Sequence, residues 1–451
     1  MDLRLISRVL FLRAAWRKRD HWDAARIAAH QAHALQELRR AAYAGSEFYR
    51  RHHAGLHDAP LNQLPIVTKA DLMEHFDEAV TTPDVRISDL ENHLRFLTER
   101  GGDPGVPWKG KWWAAATAGT TGRRETFVWN RSEWGTVLAS YARANDWAGI
   151  SAGLTRPLKV ALVSSRVPTH QSAVVGASLR SRLVPTLRLD VTEPTDETVA
   201  ALNRFQPRVL VGYASALKPL AAEQHAGHLH ISPQGVMSAS EVLTPHTAAE
   251  LEAAWGSAPF DVYAATETAG IVSPCKYRNR HVYEDLLIIE PVDRDGNPVP
   301  PGTTGARLLV TVLFSRTLPL IRYEMSDTVR LGGRGCPCGR SFMLMEDIEG
   351  RIEDILHLPG RTGTVAVHPI LFHHVLDQAG LAGWQVIQEP GKLRVLLAGL
   401  TPGSSLEAVR TGMRTALSEA GAIQTGVDVR IVDQLERTAL GKAPFVRGMK
   451  S

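Results

Sequence analysis

Cysteine is scarce in this chain of 451 residues: the three thiols are Cys275, Cys336 and Cys338. An odd, sparse set builds no disulfide framework and fits a reducing compartment, so a cytoplasmic location is expected. Long apolar runs are missing as well. Val9-Leu10-Phe11-Leu12 is flanked by arginines and falls far short of the roughly 20 residues a membrane-crossing helix needs. Arg4, Arg8 and Arg13 interrupt any stretch of the about 7–15 apolar residues that a secretory signal requires. Neither charge sign dominates. The net charge of +4 is small for this length, so nucleic acid is not an expected partner. The early basic group Arg13, Arg17, Lys18 and Arg19 reads as a solvated helix face. The Gly-x-x-x-x-Gly-Lys-Ser/Thr spacing is absent, which excludes a standard mononucleotide P-loop. Ser164, Ser165 and Ser238 stand outside any Gly-x-Ser-x-Gly elbow.

What is present reads as an ordinary globular chain, 44% apolar and 22% charged, long enough for two to three domains at about 100–200 residues each. Leu3 to Trp16 predicts an amphipathic helix lying on the main body, and Ala24 to Tyr49 a long helix. Thr68 is placed to cap a short helix, and residues 101–110, rich in Gly and Pro, form a loop. Short apolar runs then alternate with helical stretches. Strands are predicted at Leu158–Ser164, Thr186–Leu189, Val209–Tyr213 and Gly235–Ser238, and helices at Ser172–Leu183, Glu197–Phe205, Ala216–His225 and Pro245–Trp255. That rhythm implies parallel βαβ units with both sheet faces covered. After residue 280, Leu286–Val292, Arg307–Leu313 and Thr328–Leu331 predict a smaller, mostly antiparallel subdomain. Past Gly350 a hairpin around Pro390-Gly391, a helix at Ser405–Ala420 and a strand at Val427–Val432 predict a compact α+β unit. The expected architecture is α/β. A large N-terminal domain (1–350) carries mostly parallel sheets flanked by helices plus a β subdomain, and a small mobile α+β domain (351–451) follows.

Three separated segments carry chemistry. Thr117 to Gly122 spell TAGTTG. Gly119 and Gly122 allow close backbone approach, so successive N–H groups can face an anion, while Thr117, Thr120 and Thr121 add hydroxyl donors. Arg123 and Arg124 add charge for a leaving pyrophosphate. Tyr263 to Glu267 spell YAATE, an aromatic that can stack on a purine beside an acid that can hold magnesium. Asp327, Arg351 and Lys442 follow in that order. An acceptor-only carboxylate suits two ribose hydroxyls, and a late lysine can neutralise charge during acyl transfer.

TAGTTG, SASEV (238–242), YAATE, IRYEMSD, EGRIED and TALGKAPFVR, taken in order, resemble the adenylate-forming superfamily of acyl-CoA synthetases and adenylation domains, phenylacetate–CoA ligase-like members above all. The resemblance runs from about residue 60 to the end. It implies that TAGTTG cradles the β- and γ-phosphates and that Glu241 lies at the nucleotide pocket. Tyr263 and Ala264 would flank adenine, Thr266 touch the α-phosphate and Glu267 hold magnesium. Asp327 would bind the ribose hydroxyls with Arg351 nearby, Glu353 would be the domain hinge, and Lys442 the catalytic lysine. It further implies ATP-dependent adenylation of a small-molecule acid, an aromatic one, with pyrophosphate released and coenzyme A as acceptor. An amine, a carrier-protein thiol, an unusual small acid such as nitrite, or a homologue that binds nucleotide without turnover remain alternatives. Three departures stand out: Ala264 and Ser326 replace frequent glycines, and Arg123-Arg124-Glu125 follows the phosphate loop.

The cysteines add a second signal. Cys275 and His281 in CKYRNRH, with Cys336 and Cys338 in GCPCGR, make a Cys₃His set suited to a closed structural zinc site. Inert buried thiols are the alternative. A catalytic zinc is disfavoured because three thiolates quench Lewis acidity and leave no open position. His52-His53 and His373-His374 read as surface pairs, and Trp112-Trp113 as core packing. The sequence leaves the oligomeric state open, a homodimer included.

Overall fold

The structure, a computed structural model, describes residues 2–117, 125–150, 156–178, 183–351, 355–361, 363–367, 369–377, 379, 381–400, 405–423, 425–437 and 443–449. The short runs of Val, Leu and Ala between helices cannot leave either face in water. They pair edge to edge in a seven-stranded sheet of order Thr186–Asp190, Val160–Ser164, Val209–Gly212, Gly235–Ala239, Phe260–Ala265, Ala269–Pro274, Arg280–Val282. The first five strands run parallel and the last two turn back antiparallel. Alternate residues face opposite sides, as the strand period demands. Ala161, Val163, Leu210 and Val236 pack with Leu202, Leu217 and Leu251 of the covering helices. Val209, Met237 and Phe260 pack with Ala144, Ile150 and Leu158 on the other side. The chain goes from Val160–Ser164 outward to Thr186–Asp190, then reverses to Val209–Gly212 on the inner side. Such a reversal sends neighbouring connections apart and opens a crevice at the strands' carboxyl ends.

The predicted βα alternation stands, with boundaries shifted by a residue or two. The helix expected at Ser172–Leu183 is described as Gln171–Ser178, and residues 179–182 lie outside the described residues. The antiparallel subdomain is Leu287–Val292, Arg307–Val312 and Tyr323–Met325, beside the pair Asp327–Leu331 and Met345–Arg351. Beyond it, the hairpin Leu381–Glu389 and Lys392–Leu400 is flanked by parallel strands Gly426–Val432 and Val446–Arg447. Helices Pro369–Leu376 and Leu406–Glu419 cover it, closing a separate hydrophobic core from Leu356 to Val446. Among the described residues no helix is long and apolar enough to cross a membrane.

Several expectations are corrected in the N-terminal helices. The long helix is two, Ala24–Gly45 and Glu47–His52, broken where Ser46 caps the second by accepting from the Tyr49 N–H at 3.2 Å. Gly45 is required there, since any Cβ would sit 2.6 Å from Thr81 Cβ. His52 and His53 are not a surface pair. His53 is fully buried with Nδ1 3.1 Å from the Tyr43 hydroxyl, and His52 stacks on Phe48 at 4.9 Å. His373 is buried too, its Nδ1 3.2 Å from Asp377, while the His374 side chain lies outside the description. Trp112 and Trp113 are core, as expected. In each histidine case a neighbouring element covers a residue that local polarity would have left in water.

The first helix, Leu3–Arg19, buries Leu5, Val9, Leu12 and Trp16. Its basic group is a solvated face only in part: Arg17 and Lys18 are exposed, but Arg13 forks onto Asp146 at 2.7 and 2.9 Å, and Arg19 reaches Asp285 at 3.2 Å. Helix Arg131–Trp147 lies against it and carries Arg143, which donates to Asp285 at 2.6 Å and to Asp20 at 2.9 Å. Trp147 Nε1–H completes Asp20 at 2.8 Å. The guanidinium lies among the rings of Trp16, Trp147, Tyr283 and Phe342, 4.7–5.2 Å from their centroids. Burial alone pushes the Asp285 carboxyl up, but the Arg143 and Arg19 charges more than reverse this and hold it below the usual carboxylate value. Removing one member of such a set leaves an uncompensated buried charge. Arg143→Met is therefore expected to cost about 3–5 kcal/mol, measured as a lowered urea midpoint at unchanged slope.

Candidate active site and metal centre

The carboxyl ends of the parallel strands Gly235–Ala239 and Phe260–Ala265 bring Glu241, Tyr263, Ala264, Thr266 and Glu267 to one edge. A hairpin outside the sheet supplies the phosphate-loop candidate. Strands Trp112–Ala116 and Thr126–Asn130 pair so that Ala116 faces Thr126. Thr117 and Glu125 close the hairpin's stem. The Thr117 N–H donates to the Glu125 carbonyl at 2.8 Å, and the Glu125 N–H donates to Thr117 Oγ1 at 3.2 Å. Gly119, Thr120, Thr121 and Gly122 lie outside the described residues.

The stem is tied to the sheet. The Ala116 N–H donates to the Thr169 carbonyl at 2.8 Å. Two residues on, Gln171 donates to the Thr266 carbonyl at 2.9 Å and accepts from the Tyr141 hydroxyl at 2.5 Å. Buried Glu125 accepts from Tyr323 at 3.1 Å and lies 3.3 Å from Lys69 Nζ. Burial raises the Tyr323 phenol well above its ordinary value, and the charges of Glu267 and Glu125 add to that. Burial and then Glu267 do the same to Tyr141. Glu267 thus acts on two tyrosines, one bonded to Glu125 of the hairpin stem and the other to Gln171.

On the other side of the turn, the Tyr263 hydroxyl donates to Asp327 Oδ2 at 2.7 Å. Asp327 opens its strand opposite Arg351 in register, so the two backbones are neighbours, and the Arg351 side chain lies outside the description. Ala264 pairs with Gly270 in the hairpin that carries the turn. Glu241 follows strand Gly235–Ala239 through Ser240, whose φ of +69° turns the chain sharply. Its carboxylate accepts from Ser215 N at 2.9 Å, from Ser215 Oγ at 3.1 Å and from Ala443 N at 3.3 Å. Nearby, burial pushes the Tyr213 phenol up to about 12, with the Glu241 charge adding to it and a hydrogen bond from Ser165 N opposing it. Glu353 and Lys442 lie outside the described residues.

Sequence reasoning missed Lys69, Tyr141, Gln171 and Tyr323 as partners of these groups. Tyr323 had a signal, since it sits inside IRYEMSD. Lys69, Tyr141 and Gln171 had none, because their roles depend on which helices the sheet brings alongside.

The four metal candidates do converge. The donor atoms of Cys275, His281, Cys336 and Cys338 lie within 4.8 Å of one another. Cys275 and Cys336 sulfurs are 3.7 Å apart, and Cys338 Sγ is 3.3 Å from His281 Nε2. A tetrahedron with zinc–sulfur bonds near 2.3 Å has sulfur–sulfur edges of about 3.8 Å, so the spacing fits. Two tight turns present the ligands, one with Arg278 at φ +65° and one between Gly335 at +114° and Gly339 at +82°. His281 Nδ1 lies 3.4 Å from the Phe342 carbonyl, leaving Nε2 toward the thiols. Burial lowers the His281 pKa to about 4, so its ring is neutral at physiological pH, as a ligand must be.

No protein-family model matches the chain. Its sequence is 26% identical over 304 residues to the phenylacetate–coenzyme A ligase of Thermus thermophilus, matching 65% of this chain and 64% of that protein. It is 26% identical over 264 residues to the enzyme of the same name from Aromatoleum evansii, matching 54% and 56%. The match spans less than two-thirds of the length of these relatives. In three dimensions the chain superposes on 2-hydroxyisobutyryl-CoA ligase in its postadenylation state with R3-HIB-AMP. The TM-score is 0.74 at 19% identity, covering 96% of this chain and 92% of that one. The anthranilate CoA ligase AuaEII with anthranoyl-AMP gives 0.53 at 17%, covering 73% and 64%. In sequence, then, the chain is similar to phenylacetate–CoA ligases, and its fold is that of the superposed acyl-CoA ligases.

Proposed function

We propose that this chain activates a carboxylic acid with ATP and passes the acyl group to a thiol. A carboxylate oxygen attacks the α-phosphorus, the bond to the β-phosphate oxygen breaks, and pyrophosphate leaves. In the second step the sulfur of coenzyme A attacks the acyl carbon, loses its proton and expels AMP. The observation that carries this reading is the 2.7 Å hydrogen bond from Tyr263 to Asp327, made across 64 residues of sequence at the edge where the Thr117 stem and Glu267 also meet. An aromatic platform beside an acceptor-only carboxylate is what a nucleoside needs. The relatives' names and the acyl-adenylates in the superposed ligases point the same way.

The roles follow. Thr117, Gly119, Thr120, Thr121 and Gly122 cradle the β- and γ-phosphates, and Tyr263 and Ala264 flank adenine. Asp327 accepts from the ribose hydroxyls, with Arg351 beside it. Thr266 meets the α-phosphate, and Glu241 lines the edge of the pocket. Two anions approach in the first step, so positive charge must face the developing oxyanion. Lys442 supplies it, and Glu267 would hold magnesium, which neutralises the phosphates when bound. The separate core from Leu356 to Val446 favours a division at residue 350, with Glu353 as hinge. Cys275, His281, Cys336 and Cys338 would hold one structural zinc, tying the turn after Ala269–Pro274 to the segment before Met345–Arg351. Unbonded thiols at this spacing favour a reducing compartment, the cytoplasm.

Acid-dependent pyrophosphate release, screened over aromatic and small aliphatic acids with product masses read in the presence of coenzyme A, tests the reaction. Lys442→Ala is expected to slow adenylate formation by at least about 10²-fold, the scale of one transition-state contact; an unchanged rate removes Lys442 from the mechanism. Gently purified protein is expected to carry about one zinc per chain, by mass spectrometry of the metal. A ratio near zero overturns the metal assignment.

A further inference from the structure

Two contacts join the C-terminal core to the edge of the sheet, and the chemistry above uses neither. Lys218, on helix Ala214–His225, donates Nζ–H to the Leu381 carbonyl at 2.7 Å. Leu381 opens strand Leu381–Glu389 of the C-terminal sheet. On its own side Lys218 lies 3.3 Å from Glu250 Oε2 of helix Pro245–Trp255, and its side chain is 16% exposed. Glu241 makes the second contact, accepting from Ala443 N at 3.3 Å. Ala443 follows Lys442 in the chain and precedes strand Val446–Arg447, which pairs in parallel with Leu381–Glu389. The two docking points therefore sit at the amino ends of neighbouring parallel strands. A third sign of the same interface is the Asp377 carboxyl. Burial raises it, but His373 and Trp384 hydrogen bonds lower it further, helped by the charge of His246 across the junction.

Both side chains are held by partners in their own part of the molecule. Ser215 N is an unpaired donor in the first turn of its helix, and Glu241 satisfies it whether or not Ala443 is near. Glu250 pairs with Lys218 by charge, at 3.3 Å. A carboxylate and an ammonium preset in this way lose little side-chain entropy when a second hydrogen bond forms. Two contacts on adjacent strands also restrain rotation, which one contact cannot.

We propose that Glu241 and Lys218 are positioning residues: together they seat the C-terminal core against the carboxyl edge of the sheet for the acid-activating step. The proposal rests on the reaction proposed above for its consequence, but not for its geometry. Amide hydrogen exchange on the full chain tests the geometry. Lys218→Met, which keeps the stem and removes the donor, is expected to speed exchange across 443–447 by about ten-fold. Strands Lys392–Leu400 and Gly426–Val432 should keep their protection. No change at 443–447, or equal acceleration in those strands, overturns it, since the first means no coupling and the second means unfolding. In catalysis, with phenylacetate as the probe acid, Lys218→Met is expected to lower kcat of ATP–pyrophosphate exchange about ten-fold at unchanged KM for ATP. Consumption of supplied phenylacetyl-adenylate by coenzyme A should not slow. Equal slowing of both steps overturns the seating role. If the unaltered protein releases pyrophosphate with no acid, the adenylation reading fails, and the exchange result still decides the seating.

Discussion

A parallel sheet ends all its strands on one edge, and a reversal in strand order leaves that edge with a crevice. Here the reversal falls between Val160–Ser164 and Val209–Gly212. The turns of the parallel strands at Ser165, Tyr213, Glu241 and Glu267 issue from that side, while the turn at Cys275, after the antiparallel strand Ala269–Pro274, leaves the opposite one. The remaining parts surround that edge. The Trp112–Asn130 hairpin brings Thr117 to it, the antiparallel subdomain brings Tyr323 and Asp327, and the C-terminal core reaches it through Leu381 and Ala443.

The acids at this edge show how the fold treats negative charge. Glu241, Asp327 and Glu125 are each met by donors from other segments of the chain. Glu241 has the first turn of a helix, Asp327 has a phenol, and Glu125 has a phenol and an ammonium. Such arrangements fix where oxygens point, which matters more for receiving a polar ligand than for stability. Deeper in, Arg143 plays the opposite part, a single cation joining Asp20 and Asp285 so that the first helix cannot leave without exposing all three. That network abuts the thiol cluster, since Trp147 packs edge-on to His281 at 5.7 Å and Arg340 lies over Trp147 at 4.7 Å. The N-terminal helix, the proposed zinc turns and the sheet's antiparallel end therefore share one packed region.

Much of this was legible in the chain. The βα alternation follows from apolar runs of strand length between helix formers, and Pro245–Trp255 begins and ends where a proline and a following glycine put it. The Cys₃His set was legible because all three cysteines of the chain fall in two short segments, one of them with a histidine six residues on. The histidine pairs were misread because a polar residue's burial is decided by what covers it. His53 is buried by Tyr43 and Tyr49, and His373 by Trp384 and Phe445. Arg13 and Arg19 of the first helix were misread for the same reason, with Asp146 and Asp285 arriving from 133 and 266 residues away.

By itself the sequence determined the periods, the turns and the kinds of atom available: hydroxyls between glycines, acids after small residues, three thiols in two short segments. Those are local properties, set by side-chain chemistry and backbone preference within a few residues. Which of those atoms meet was decided only by tertiary structure. Tyr263 reaches Asp327, Glu125 reaches Tyr323 and Glu241 reaches Ala443 because strand order and register carry distant segments to a common edge. Contact across such spans is a property of the packed sheet and its covering layers, and no local preference encodes it.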